Sequence, residues 1–183
     1  MGTIKVHEFM TLDGVIENPS WTMEFGFDPK MGETLAGLTG GTGNAILLGR
    51  TTFEMFAPAW STRTAEEDPG APFFNDTTKY VVSSTPPSVE WANSVHLGAY
   101  DPAAIQKLKA GVAGTIYLSG SATLVRALLA DGLVDELHLF VYPVTLGSGL
   151  RLFTGSMPGH KLSLVASDVY DNGVVHLAYG PAA

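Results

Sequence analysis

The sequence predicts an α/β fold built on one mostly parallel sheet with an antiparallel C-terminal hairpin. Short apolar runs alternate with helix-spaced segments as far as residue 142, the pattern of strands joined by helical crossovers. Beyond that point only strand-like runs follow, two of them joined by Asp171-Asn172-Gly173, a strong hairpin turn. With 183 residues and no internal repeat, linker or low-complexity segment, the chain reads as one domain over 1–183.

The elements can be justified in order. Residues 3–10 alternate, with Ile4, Val6 and Phe9 apolar, and read as a first strand ending near Leu12-Asp13-Gly14. Residues 14–31 read as a loop carrying unusual bulk: Trp21, Met23, Phe25 and Phe27 among Pro19, Gly26 and Pro29. A helix is expected from about Asp28 to Leu38, stopped by Gly40-Gly41. Asn44 to Leu48 is a strand, and Gly49-Arg50-Thr51-Thr52 turns it into a helix through Phe56. The polar stretch 61–71, with Pro69-Gly70, reads as a surface loop. Lys79 to Ser83 and Val95 to Leu97 are strands, and Asp101 caps a helix to Lys109 with Pro102 at its first position. Thr115 to Leu118 is a strand, Ala122 to Ala130 a helix, and Asp135 to Tyr142 a long strand. The hairpin pairs Lys161–Tyr170 with Val174–Tyr179.

Composition removes several function classes. A formal charge of −8 argues against a nucleic-acid partner, whose phosphates demand Lys and Arg. A small anionic ligand stays possible, because helix N-termini bind phosphate without a basic surface. The absence of cysteine excludes disulfides, thiolate metal sites and a Cys nucleophile. The five histidines show no paired metal spacing, and His138 and His176 read as satisfied sheet residues. Lys5, His7 and Glu8 interrupt any signal peptide, and Arg126, Asp131, Asp135 and Glu136 interrupt the longest apolar stretch. The expectation is a cytoplasmic protein with no membrane partner.

Two strand-to-helix corners share a design: Leu47-Leu48-Gly49-Arg50-Thr51-Thr52 and Tyr117-Leu118-Ser119-Gly120-Ser121-Ala122. In a parallel sheet such corners lie at the carboxyl edge, where open α/β sheets bind ligands. Glycine lets a phosphate approach the backbone, and the next helical turn points free N–H groups at it. The alternative is that glycine merely eases a turn and Thr52 or Ser121 caps a helix. Arg50, one of ten basic residues, stands beside the first corner, where a guanidinium suits a phosphate. Ser83-Ser84-Thr85 closes a third strand at the same edge. Thr39-Gly40-Gly41-Thr42-Gly43 lacks the Gly-Lys-Ser/Thr ending of a P-loop, and Ser119-Gly120-Ser121 is not a hydrolase elbow.

Six stretches in order carry a resemblance over nearly the whole chain: Met10-Thr11-Leu12-Asp13-Gly14, Leu48-Gly49-Arg50-Thr51-Thr52-Phe53, Tyr80-Val81-Val82-Ser83-Ser84-Thr85, Leu118-Ser119-Gly120-Ser121-Ala122-Thr123-Leu124, Val134-Asp135-Glu136-Leu137 and Pro143-Val144-Thr145-Leu146-Gly147-Ser148-Gly149. Together they resemble the dihydrofolate-reductase-like superfamily, specifically the reductase domain at the C-terminus of bacterial bifunctional deaminase-reductases of riboflavin synthesis. The resemblance implies a three-layer fold, NADPH as cofactor and usually a homodimer. It implies that Gly49, Arg50, Thr51 and Thr52, with Ser119, Gly120, Ser121, Ala122, Thr123 and Leu124, hold the pyrophosphate and its riboses. Ser83 and Ser84 are then expected at the adenosine phosphate, and the Ser119–Gly120 peptide is expected to be cis. The sequence has no cysteines for a deaminase zinc site. Nor does Glu54-Met55-Phe56-Ala57-Pro58-Ala59-Trp60 match the Asp-Asp-Pro stretch used near a phosphoribosyl substrate, so the substrate stays open.

A reductase of this kind needs a proton source beside its hydride donor. The candidates are Asp13, Glu17, Glu24, Asp28 and Glu33; Asp13 and Thr11 lie in a matched motif, and Glu33 falls on the first helix, where dihydrofolate reductases carry their acid. A buried acid would have a raised pKa; the alternative for each is a solvated carboxylate or a cap. Trp21, Phe25 and Phe27 are candidates to stack on a flat heterocycle, or to pack in the core. The function expected is an NADPH-dependent reductase of a pterin- or pyrimidine-like substrate. The alternatives are a dihydrofolate reductase proper and a dimeric nucleotide-binding protein without turnover. The long strand Asp135 to Tyr142 is expected to offer His138, Phe140 and Tyr142 as a dimer face.

Overall fold

A computed structural model describes residues 1–155, 157 and 159–182. Eight strands form one sheet in the order β4-β3-β2-β5-β1-β6-β8-β7. They are β1 (Thr3–Thr11), β2 (Ala45–Gly49), β3 (Thr78–Val82), β4 (Ser94–Gly98), β5 (Thr115–Ser119), β6 (Glu136–Tyr142), β7 (Leu162–Val169) and β8 (Val175–Pro181). The first six run parallel, and β8 and β7 join antiparallel. The α/β class with its antiparallel C-terminal edge is therefore as the sequence predicts. Among the described residues no helix is long and apolar enough to cross a membrane.

Helices cover both faces, giving three layers. Facing one side are α1 (Pro29–Thr39), α2 (Arg50–Trp60) and α3 (Ala71–Asp76), whose Met31, Leu38, Phe53, Ala57 and Phe74 pack with Ile46, Leu48 and Phe140. On the other side α4 (Pro102–Gly111) and α5 (Ala122–Ala130) bring Ile105, Leu124, Val125 and Leu128 against Ile4, Val6, Leu118 and Leu139. Alternate residues of each strand feed the two cores, as the pleat requires.

Three local readings differ from the sequence pattern. Within the expected loop, Pro19–Phe25 forms a 3-10 helix that buries Trp21. The helix after β2 runs past Phe56 to Trp60 despite Pro58, whose ring sits in the last turn, while Trp60 stacks on Phe74 at 4.2 Å. That Phe74 lies in α3, a helix the polar composition of 61–71 did not announce.

The expected dimer face is corrected. His138, Phe140 and Tyr142 are buried within one chain, Phe140 fully. Phe9, Trp21 and Phe25 meet Tyr142 edge-on, and Tyr170 and His176 stack on Phe140. The first helix, the 3-10 helix and the C-terminal hairpin supply the cover, although no helix follows residue 142. The sheet histidines are satisfied, as read: His138 Nδ1 and His176 Nε2 are 3.0 Å apart, with Glu136 and Asp168 at the two ends of the pair.

Candidate functional site

Strands β2 and β5 are neighbours, and the helices that follow them leave to opposite faces of the sheet. Their carboxyl ends therefore frame a crevice, the place where open α/β sheets take ligands. The two corners are locked together across it. Gly49 N donates to Ser121 Oγ at 2.8 Å, and Ser121 Oγ donates to Thr52 Oγ1 at 2.6 Å. A Cβ on Gly49 would lie 2.8 Å from Ser121 Oγ, so only glycine permits this approach. On the other corner Gly120 (φ +74°) and Ser121 (φ +68°) are successive left-handed residues that reverse the chain into α5. They do so without the expected cis bond, since no cis peptide occurs among the described residues.

Both corner helices start without a side-chain cap. By contrast, Asp28 accepts from Lys30 N and Met31 N at the start of α1, and Asp101 accepts from Ala103 N at the start of α4. The hydroxyl of Ser121 is not a cap; it is spent on the first corner. Thr51 and Thr123 are exposed in the opening turns of their helices, while Thr52, Ala122 and Leu124 are buried beneath them. First-turn N–H groups have no intrahelical acceptor, so these two starts present donors and a positive dipole end to the crevice.

Arg50 extends the site sideways: its Nη1 donates to Thr85 Oγ1 at 2.6 Å, tying the first corner to the end of β3. There Ser83 Oγ donates to Thr85 O at 2.5 Å and contacts His96 Nε2 at 3.2 Å, and Ser84 is exposed. The structure thus brings the three strand ends together at one edge. A pyrophosphate fits such a cradle of uncapped helix starts, a close glycine approach and a guanidinium.

At the end of β1, Thr11 and Asp13 form a different arrangement. Thr11 is fully buried; its hydroxyl donates to Asp13 Oδ1 at 2.6 Å and accepts from Val15 N at 2.9 Å. Asp13 also accepts from Gly147 N at 2.8 Å and Leu146 N at 3.3 Å, while Arg151 Nη2 lies 3.5 Å away. The Thr11 hydroxyl first, then the Gly147 N–H, hold its carboxyl down at about 2. These donors favour its anion, and the same contacts pin the loop after β6.

That loop and the 3-10 helix border a cleft of ≈ 580 Å³ lined by Val15, Glu17, Trp21, Glu24, Ser148 and Gly149 among others. Glu17 Oε2 accepts from Leu150 N at 3.0 Å on its rim. Trp21 lines this cleft, whereas Phe25 packs edge-on against Tyr142 and Phe27 lies over Gly32 of α1. Asp28 is the helix cap, and Glu33 is exposed on α1. Sequence reasoning passed over Glu8. It is 4 % exposed, among the described residues its Oε1 has no hydrogen-bond partner, and burial raises its pKa to about 8. Its only sequence signal was a charged residue among apolar positions of an otherwise buried strand.

The chain is 30 % identical over 178 residues to the uncharacterised protein YyaP of Bacillus subtilis, covering 93 % of this chain and 90 % of that one. In fold it is similar to a putative riboflavin biosynthesis protein from Shewanella sp. PV-4, with TM-score 0.79 and 17 % identity over 99 % of each chain. Dihydrofolate reductase from Enterococcus faecalis, solved with NADP(H), superposes with TM-score 0.63 at 16 % identity, over 98 % of this chain and 96 % of that one. The model of the RibD C-terminal domain matches residues 3–176, and the chain belongs to that reductase-like family.

Proposed function

We propose that this protein is an NADPH-dependent reductase of a small pterin- or pyrimidine-like heterocycle. One observation carries the reading: the adjacent β2 and β5 corners, locked by Ser121 and opening two uncapped helix starts into one crevice. When bound, NADPH would supply the hydride. The chain's own part is to hold and orient. The first turns of α2 and α5 receive the pyrophosphate, Arg50 adds a charge-assisted contact, and Ser83 and Ser84 lie where the adenosine phosphate would reach. Trp21 offers a flat apolar wall to the heterocycle in the cleft beside β1.

Glu33, being exposed, gives no support to a dihydrofolate reductase that uses an acid on the first helix. Binding without turnover draws support from the locked anion of Asp13, which leaves no proton there to donate. The homodimer implied by the family resemblance belongs to this proposal, with the open edge of β7 as its surface. All eight residues of that strand are exposed, Leu164, Val165 and Val169 among them. Absorbance at the reduced-nicotinamide band tests the reading. Oxidation of NADPH dependent on an added pterin or aminopyrimidine is expected; NADPH binding with no oxidation by any of them would favour the binding protein.

A further inference from the structure

We propose that the carboxyl of Glu8 is a ligand contact, buried beside the Ser119–Ser121 corner and pairing with an amide-type group of a bound molecule. The inference rests on the reductase reading and names a contact within that site. Strand register places the residue. His7 pairs with Ser119, the last residue of β5, so Glu8 stands one step further on, level with Gly120 where the chain leaves the sheet. On its other side it pairs with Leu139 of β6. Ile4 and Val6 belong to the core under α5, and alternation puts Glu8 on the same face, the face into which Ala122 and Leu124 of α5 pack.

The carboxyl is 4 % exposed, and among the described residues it makes no hydrogen bond or ion pair. An enclosed polar group without a partner weakens a fold, and one so placed is explained if a ligand completes it. Burial alone accounts for its raised pKa, and no charged side chain contributes. Tyr117 of β5 senses its charge, and the Tyr117 hydroxyl lies 2.8 Å from His7 Nδ1. At neutral pH Glu8 therefore offers one O–H donor and one carbonyl acceptor side by side. That pair complements an amide, which presents N–H and C=O together. Two sources share this chemistry: the carboxamide of a nicotinamide and the lactam of a pterin or pyrimidine.

Binding measured by calorimetry on full-length wild type, Glu8→Gln and Glu8→Leu, from pH 6 to 9, tests the proposal. The probes are NADPH, the 3-acetylpyridine analogue of NADP, and 6-methylpterin. Glutamine keeps a donor and an acceptor, so Glu8→Gln should bind like wild type at pH 6, and Glu8→Leu should lose about 10- to 100-fold. Wild-type affinity should fall as pH rises past about 8 while that of Glu8→Gln stays level. If the carboxamide is the partner, NADPH shows this dependence and the acetyl analogue does not; if the lactam is, only the pterin shows it. Without ligand, Glu8→Leu should melt higher than wild type at pH 7, because the unpartnered acid serves no contact in the fold. A Glu8→Leu protein that binds every probe as wild type does, or that melts lower without ligand, overturns the role of Glu8 alone. A wild type that binds none of the probes overturns the reductase reading and takes this role with it.

Discussion

The four longer helices begin in two different ways. At α1 and α4 an aspartate closes the start: Asp28 on Lys30 N and Met31 N, Asp101 on Ala103 N. At α2 and α5, which leave neighbouring strands, no side chain closes it. Yet the second pair has hydroxyls at hand. Ser121 sits at the start of α5 and spends its oxygen on Gly49 N and Thr52 instead. A cap was within reach and is used elsewhere, so the open starts follow from how the corners are packed. Of these four helices, the two away from the crevice start under an aspartate cap, and the two bordering it start without a side-chain cap.

The largest break in this contrast comes from Gly120→Val. A β-branched residue at φ +74° is strained by about 1–3 kcal/mol. The distorted corner should lose the phosphate contact at the start of α5, and with it NADPH binding by about 100-fold or more, while circular dichroism still reports a folded chain. Loss of fold and binding together would return the corner to a mere turn. Arg50→Ala is gentler. The side chain is exposed, so removing its phosphate contact should weaken NADPH by about tenfold and leave the melting temperature without ligand unchanged. Asp101→Ala sharpens the other half of the comparison. A lost cap should cost about 1 kcal/mol in urea unfolding with no change in NADPH affinity.

The smallest effect concerns Asp13 and appears only in acid. Its folded carboxyl titrates at about 2 against 3.8 when unperturbed, so the stability it contributes is present above 3.8 and is lost as pH falls towards 2. Asp13→Asn should flatten that acid limb and leave the pH 6–8 range unaltered. Glu8 has the opposite sign. Raised from 4.5 to about 8, it lowers stability progressively as pH rises between those values. Two carboxyls five positions apart in the chain thus titrate in opposite senses: one anchors a loop and the other is buried without a hydrogen-bond partner among the described residues.

Much of this was legible in the sequence. The strand–helix alternation, the Asp171-Asn172-Gly173 turn and the Pro102 helix start depend on local chemistry, and each appears where it was read. The corners were legible as motifs, but not the Ser121 bridge, because Gly49 and Ser121 are brought together only by the pairing of β2 with β5. The dimer face failed for a related reason. Alternation correctly put His138, Phe140 and Tyr142 on one side, but what covers them comes from the 3-10 helix, α1 and the C-terminal hairpin. Asp13 and Glu8 show the same limit: their sequence contexts do not reveal which one meets backbone donors and which is buried without a hydrogen-bond partner among the described residues.

The central claim is that the crevice between β2 and β5 holds the cofactor, and a crystal structure with NADPH tests it most directly. The account predicts the pyrophosphate against the first turns of α2 and α5, within hydrogen-bond reach of the backbone at Arg50–Thr52 and Ala122–Leu124, with the Ser121 bridge to Gly49 intact. NADPH seated instead wholly in the cleft beside Trp21, or absent at saturating concentration, would contradict it.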